Sequence, residues 1–426
     1  MGGLCSRAEP LDFDGEVDLF HFALLQNIGK GAFGKVRIVQ HKQTQEIYAL
    51  KYIHKATCIK KKAVSNIISE RRLLEQIDHP LLVNMRYAFQ DDENCFYVLD
   101  LMLGGDLRFH LDRHPNGSFA ETEVMFMVAE LSCGLAYLHD QRIIHRDIKP
   151  DNVLLDEAGH AHITDFNIAR HYSDRKLLKG IAGSAPYMAP ELFSGAGYTY
   201  TPDWWSLGVV AYELLFGIRP HRERTQMDLL HAISNTDVQF PDGAGRRCTP
   251  EGLNAIASFL NRDPRERLGC VPYGNGFSTV QQHPWFANID WPRLERKEII
   301  PPFTPGNKAN FDPTHNLEEM LLESNPLRAR ARKSNAAPLS PDMAELETGF
   351  TVYDFKRMPR RAIVPQQTVS TMTGTSTEPV SSRPETPEQV DFSGIPNGHG
   401  HNGMEMKEAR GNPDMYMRPG PQIHDS

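Results

Sequence analysis

Paired cysteines are missing from this chain. Its six cysteines, Cys5, Cys58, Cys95, Cys133, Cys248 and Cys270, form no C-x-x-C pair. Neither a disulfide framework nor a zinc site is expected, and a reducing, intracellular compartment is the default. A long apolar run is also missing. The best candidate, Leu207 to Ile218, is shorter than a bilayer span and contains Glu213, so it reads as a buried helix. The N-terminus has no apolar core of the kind a secretory signal needs. Positive charge is in deficit. A formal net charge of -8 argues against bulk nucleic-acid binding and says little about fold. No internal repeat is visible. What remains is a 426-residue chain of ordinary apolar and charged content. That is enough for a few compact units of roughly 150 residues each.

Against these absences stands one dense stretch, His145-Arg146-Asp147-Ile148-Lys149-Pro150-Asp151-Asn152. A carboxylate, an ammonium and an amide on one short loop suit transfer of a phosphoryl group from a nucleotide to a hydroxyl. Asp147 can accept the hydroxyl proton, Lys149 can steady the moving phosphate and Asn152 can hold a metal ion. A charged, solvated turn would have the same composition, so the other parts of such a machine must be found.

They follow in order. Alternating apolar residues, Phe22-Ala23-Leu24-Leu25 with Ile28 and then Val36-Arg37-Ile38-Val39, predict a β-hairpin. Between its arms lies Gly29-Lys30-Gly31-Ala32-Phe33-Gly34-Lys35-Val36, whose glycines let backbone amides approach phosphate oxygens. A dinucleotide fold uses the same G-x-G-x-x-G but runs into a helix. The strand-like continuation here favours a flap over ATP. The next strand ends Tyr48-Ala49-Leu50-Lys51, and a helix from about Ala63 to Ile77 carries Glu70. Lys51 would meet the α- and β-phosphates, held by Glu70; two unrelated surface charges are the plainer reading of either residue alone.

Phe96-Tyr97-Val98-Leu99 predicts a short buried strand, and Asp100-Leu101-Met102-Leu103-Gly104-Gly105-Asp106 a hinge. A long helix is expected from Glu121 to His139, with short strands at Val153-Leu154-Leu155 and His162-Ile163-Thr164. Asp165-Phe166-Asn167 follows, with Asp165 placed to chelate bridging metal ions. Ala189-Pro190-Glu191 closes the segment that would receive a substrate, and a strongly apolar helix opens at Asp203.

After Phe286 the texture loosens. Pro301-Pro302-Phe303-Thr304-Pro305 and Asn310-Phe311-Asp312-Pro313 suggest an extended strap, and Phe350-Thr351-Val352-Tyr353-Asp354-Phe355 is an aromatic cluster. From about Arg360 the composition is that of a disordered segment. The basic patch Arg328 to Lys333 is read as solvated, with attraction to anionic lipid as the sharper alternative. Met1-Gly2-Gly3-Leu4-Cys5-Ser6 fits the myristoylation pattern at Gly2, with Cys5 as a palmitoylation candidate. One acyl chain binds membranes only marginally, so stable contact needs both. An unmodified start is the plainer alternative.

The ordered set of glycine loop, strand lysine, helix glutamate, H-R-D loop, D-F-x triplet and A-P-E resembles the eukaryotic protein kinases over roughly Phe22 to Phe286. Lys149, two residues after Asp147, resembles the serine/threonine branch. The strap and the late aromatic cluster resemble the AGC group. Three further runs are similar to the YANK subgroup: His162 to Ala169; Asp203 to Gly208; and Phe311-Asp312-Pro313 with Leu317-Glu318-Glu319-Met320 and Leu322-Glu323-Ser324.

The resemblance implies an α+β, bilobal fold. A mainly β N-lobe (22–101) of five strands and one main helix would sit on a mainly α C-lobe (102–286). An N-terminal segment (1–21), an AGC-type tail (287–360) with a hydrophobic motif at 350–355, and a disordered tail (361–426) would flank them. ATP is expected against Ile28, Gly29, Lys30, Gly31, Ala32, Phe33, Gly34, Lys35, Val36, Ala49, Lys51, Leu99, Asp100, Met102 and Asp106. Mg²⁺ is expected on Asn152 and Asp165, and catalysis from Asp147, Lys149, Asn152, Lys51 and Glu70. The partners would be protein substrates with Ser or Thr acceptors. Acidic residues at Asp106, Asp151 and Glu213 lean toward Arg or Lys before the acceptor. The resemblance further implies a Glu191–Arg267 structural ion pair, a monomer, no nucleic-acid partner, and a cytoplasmic location, at the inner face of the plasma membrane if Gly2 and Cys5 are acylated.

Three positions depart from the family pattern. Asn167 replaces a glycine, and asparagine tolerates the positive φ such a turn would need. Gly180 stands where AGC kinases carry a phosphorylated threonine, so no hydroxyl there can carry a phosphate toward Arg146; Ser173 and Ser184 are poorer candidates for that role, and Ser184 is expected beside the catalytic loop. Asp354 stands where the hydrophobic motif is often phosphorylated, and a carboxylate imitates a phosphate only in part. The alternative is a membrane-tethered pseudokinase scaffold. Asn167 favours it, and the complete set Lys51, Glu70, Asp147, Lys149, Asn152 and Asp165 counts against it. A small-molecule phosphotransferase is disfavoured by the A-P-E segment.

Overall fold

Strand patterning at the N-terminus becomes a meander of β1 (Phe22–Lys30), β2 (Gly34–His41) and β3 (Ile47–His54) in the computed structural model, which describes residues 12–30, 34–270, 276–306, 310, 327–329 and 339–358. Phe22 pairs with His41, and Val36 with Lys51. A Cβ at Gly34 would lie 1.6 Å from the Tyr52 carbonyl oxygen, so only glycine lets β2 begin this close to β3. Helices α1 (Lys55–Lys60) and α2 (Val64–Leu74) follow, then β4 (Met85–Gln90) and β5 (Asn94–Leu99). One face of this sheet packs Phe22, Val39, Leu50, Phe89, Phe96 and Val98 together. Val17 and Leu19 join that cluster from upstream of residue 22. On the other face Ile53, Ile67, Ile68 and Tyr97 are continuous with the core of the second lobe.

In the C-lobe, β6 (Gly105–Asp106) leads into α3 (Leu107–Arg113), and α4 (Glu121–Asp140) runs on through the core. Short strands β7 (Ile143–Ile144), β8 (Val153–Leu155), β9 (Ala161–Ile163) and β10 (Arg170–His171) bracket the loops of interest. Helix α5 (Thr201–Phe216) is buried on nearly every side and ends at Gly217, φ 71°. An all-round apolar helix belongs at the centre of a core, and the Leu207 to Ile218 run is accounted for in this way. Helices α6 (Gln226–Asn235), α7 (Pro250–Phe259), α8 (Phe277–Gln281) and α9 (Trp291–Glu295) surround it. The expected ion pair is present: Arg267 Nη1 and Nη2 donate to Glu191 Oε1 (2.6 Å) and Oε2 (2.8 Å). No helix of the described residues is long and apolar enough to cross a membrane.

Among the described residues, 22–101 hold the five strands that the resemblance implies, and the tail adds a sixth, β11 (Tyr353–Asp354), to the same sheet, in the order β1-β2-β3-β5-β4-β11. Helix α10 (Pro341–Gly349), capped by Ser340, delivers β11 (Tyr353–Asp354) to the open edge of β4, Tyr353 against Ala88 and Asp354 against Tyr87. An uncovered edge strand leaves a row of unpaired backbone groups, and the tail satisfies part of it. Phe350 is 0% exposed and meets Tyr97 edge-on at 5.1 Å. Arg71 Nε on α2 donates to the Thr351 carbonyl (2.8 Å), and buried Lys55 pairs with Glu347. Asp354 accepts from the Lys356 amide (2.9 Å) and lies 3.5 Å from Arg357, whose guanidinium donates to the carbonyls of Phe13, Asp14 and Gly15. The carboxylate at the hydrophobic motif thus orients a tail arginine toward the N-terminal segment.

Truncating the buried ring in Phe350→Ala should weaken docking by about 3 kcal/mol. Exchange of the Phe355 amide, which donates to the Arg86 carbonyl at 3.0 Å, should accelerate accordingly. Protection equal to the parent would mean that the ring is not what seats the tail.

Just after Pro301 the strap is tied down by Phe303, which packs edge-on against His110 and Phe119. Gly2, Cys5, most of the basic patch and residues 361–426 lie outside the described residues.

Candidate active site

The H-R-D loop is suspended from one carboxylate. Asp203, in the first turn of α5, is 0% exposed. Its Oδ2 accepts from the His145 amide (2.9 Å) and lies 2.9 Å from His139 Nε2, while Oδ1 accepts from the Arg146 amide (2.8 Å). His145 in turn reaches the Thr164 carbonyl through Nε2 (2.9 Å) and accepts from the Asp147 amide at Nδ1 (3.2 Å). Arg146 takes φ 70°, a strained value for a non-glycine residue that the surrounding bonds hold in place.

Asp147 projects from this frame into a hub of donors. Its Oδ2 accepts from Lys149 Nζ (2.8 Å) and Asn152 Nδ2 (2.9 Å), and its Oδ1 from Ser184 Oγ (2.8 Å). Lys149 Nζ also donates to Ser184 Oγ at 2.9 Å, so Ser184 sits beside the catalytic loop.

Across the cleft, Lys51 Nζ donates to Glu70 Oε1 (2.9 Å) and Asp165 Oδ1 (3.3 Å). Burial opposes the ammonium charge, but Glu70 and Asp165 outweigh it and hold the Lys51 pKa above its usual value. Lys51 is also the main reason that Asp165 lies below the ordinary carboxylate range, against the opposing effect of burial. Asp165 therefore stays ionised throughout neutral pH, and the stability it contributes is lost only as pH falls through that depressed value. Asp165 takes φ 63°. Asn167 is not among the positive-φ residues of the described chain. The expectation that asparagine must tolerate a left-handed turn is therefore corrected: the strain sits two residues earlier.

The cleft has a volume of about 350 Å³ and is lined by Ile28, Gly29, Val36, Ala49, Lys51, Leu99, Asp100, Met102, Asp106, Asn152 and Asp165. Gly34 and Lys35 line an adjoining recess with Glu70. Lys30 ends β1, and Gly31, Ala32 and Phe33 lie outside the described residues. The cleft also takes Val83, Leu154 and Thr164, which the sequence did not single out as site residues. Val83 is buried, half-buried Leu154 closely follows Asn152 in the chain, and half-buried Thr164 immediately precedes Asp165. Asp100 turns its carboxylate away, to Arg86 Nε (2.5 Å) and Nη2 (3.0 Å) and to Asn84 Nδ2 (3.0 Å). Any contact from Asp100 to a base would come from its backbone. Asp106 caps α3 by accepting from the Phe109 amide (2.7 Å), and burial pushes its pKa up.

These residues suit a nucleotide and a hard cation. The volume is that of a small-molecule site, and an ammonium held charged faces into it. Asn152 gives both amide hydrogens to Asp147, at its carbonyl (2.8 Å) and Oδ2. Asn152 and Asp165 both line the cleft, and side-chain oxygens of this kind suit Mg²⁺.

A lysine–glutamate ion pair lining one cleft, with a hydrogen-bonded aspartate on the adjoining loop, suits a phosphotransferase. The chain belongs to the protein kinase family: the protein kinase domain matches residues 22–286. It is 42% identical over 341 residues to human serine/threonine-protein kinase 32B, covering 78% of this chain and 80% of that one. It is 41% identical over 362 residues to human serine/threonine-protein kinase 32C, covering 82% and 72%. Serine/threonine-protein kinase YPK1 of Saccharomyces cerevisiae is 37% identical over 323 residues, 76% of this chain and 45% of the yeast protein. These relatives place the chain in the AGC group, beside the YANK subgroup.

Proposed function

We propose that this chain is a serine/threonine protein kinase that transfers the γ-phosphate of ATP to protein hydroxyls and needs no phosphate on its activation segment. The observation that carries the reading is the convergence of Lys149, Asn152 and Ser184 on Asp147, opposite a formed Lys51–Glu70 pair. Asp147 has an oxygen on each side of the hub and would take the proton of an acceptor hydroxyl. Lys149 would steady the phosphate in transit, and Lys51 would hold the phosphates already bound. Asn152 and Asp165 would hold Mg²⁺, which when bound neutralises charge on the phosphate oxygens.

Independence from phosphorylation rests on Arg146. Its Nε donates to the Ile168 carbonyl (2.7 Å), which also receives Nη2, and its Nη1 donates to Tyr198 Oη (3.3 Å). Tyr198 Oη donates onward to the carbonyl of Gly180 (2.9 Å), which has φ 98°. A phenol thus ties Gly180 to the arginine that a phosphate would otherwise engage. Membrane contact through acylated Gly2 and Cys5 belongs to the same reading, on the sequence pattern alone.

The test uses purified, phosphatase-treated protein with Mg²⁺, ATP and a library of Ser/Thr peptides. Phosphorylation at a rate close to that of untreated protein is expected. Loss of all activity on treatment would remove the phosphate-independent part of the reading. Inertness of both preparations would favour a scaffold instead.

A further inference from the structure

The lean toward basic substrate residues supposes that Asp106, Asp151 and Glu213 are open to receive them. They are already engaged. Asp106 is the α3 cap. Glu213, its side chain 6% exposed, accepts from Arg108 Nη2 (3.0 Å) and from Tyr187 Oη. Arg108 Nη2 also donates to Tyr187 Oη (2.7 Å), and its Nε lies 3.7 Å from Asp151 Oδ2. Its Nη1 is 3.7 Å from Asp112, and a second cation, Arg219, stands 3.9 Å from Glu213. Burial opposes the charge on Arg108, and the hydrogen bond to Glu213 together with electrostatic attraction to Tyr187, Glu213 and Asp151 outweighs it, so the Arg108 pKa lies above its usual value.

This cluster lies on the substrate side of the cleft. Asp151 follows Asp147 on the same loop. Tyr187 comes three residues after Ser184, which donates to Asp147, and the Tyr187 carbonyl is held by Ser206 Oγ (2.7 Å). A guanidinium is a planar fork of five donors suited to carboxylates. A substrate arginine arriving at Glu213 would meet a seat filled by the same chemical group. It would find like charge beside it, which disfavours a partner as surely as contacts favour one.

Resting on the kinase reading above, we propose that Arg108 determines substrate specificity: it occupies the acidic seat from within the chain, and the kinase accepts peptides without a basic residue at that position. Removing Arg108 should therefore create an arginine preference that the parent lacks.

The experiment is a positional-scanning peptide library phosphorylated by the full chain with Mg²⁺ and ATP. The parent is expected to show no selection for Arg or Lys over Ala at any position before the acceptor. Arg108→Ala should gain about tenfold selection for Arg at one position, the scale of one charge-assisted hydrogen bond. Arg108→Ala with Glu213→Gln should lose it again. Arg108→Gln keeps a donor for Glu213 without the charge, and should report the same gain if the alanine variant fails to fold. Strong selection for Arg by the parent overturns the proposal, as do active variants with the parent profile. No phosphorylation by the parent at all would overturn the kinase reading, and this inference with it.

Discussion

Asp147→Asn is expected to lower turnover by about 10²–10⁴-fold, the usual contribution of a general base, and to leave nucleotide affinity close to that of the parent. The carboxylate accepts from three side-chain donors and still offers lone pairs to an incoming hydroxyl. An amide has one such oxygen; kept on Lys149 and Asn152, it leaves an NH₂ group in place of Oδ1, where the Ser184 hydroxyl loses its acceptor. The amide cannot take a proton at all. Lys51, Glu70, Asp165 and the hinge lie elsewhere in the cleft and should keep the nucleotide in place. Asp165→Asn is the contrast. It removes a proposed metal donor and one of the two partners of Lys51, so nucleotide binding in the presence of Mg²⁺ should weaken together with turnover. Single-turnover rates and nucleotide titrations of both variants separate the two roles. Turnover by Asp147→Asn equal to the parent would dismiss the assignment.

The second large effect is expected at Asp203, which touches no proposed substrate. Asp203→Asn should cost about 3 kcal/mol of stability, the scale on which a broken buried polar pair is felt. Two carboxylate oxygens receive the His145 and Arg146 amides and reach the His139 imidazole. Asparagine presents one oxygen and one NH₂ in the same volume, so a buried backbone N–H is left facing another donor. The loop that carries Asp147 hangs from those two amides, so turnover should fall along with the melting temperature. A variant as stable and as active as the parent would show that the loop is held by something else.

Much of the architecture was legible in the chain. Period-two alternation located β1 and β2 within a few residues, and Val153–Leu155 emerged as a strand with the expected bounds. The helix expected over about 63–77 is shorter, Val64–Leu74, because boundaries depend on caps that periodicity does not see. The Lys51–Glu70 pair and the H-R-D loop were readable because they belong to motifs whose spacing is local. Asp203 was visible as the start of a helix, but not as the anchor of a loop more than fifty residues earlier.

The sequence by itself determined which groups could do chemistry only as a set. Lys51, which lies inside β3 rather than at its end, and Asp147 on a short polar loop are plain charges singly; together with Glu70, Asn152 and Asp165 they fit phosphoryl transfer. Only the tertiary structure decided which of those groups are free. Arg108 lies between Glu213 and Asp151, and the Tyr198 hydroxyl joins Gly180 to Arg146, contacts that no neighbouring residues announce. Tyr353 and Asp354 lie far along the chain from the strand they extend. The reason is physical: propensity and motif spacing act over a few neighbouring residues, whereas occupancy of a charge or a sheet edge is a contest among all groups that folding brings within about 3–4 Å.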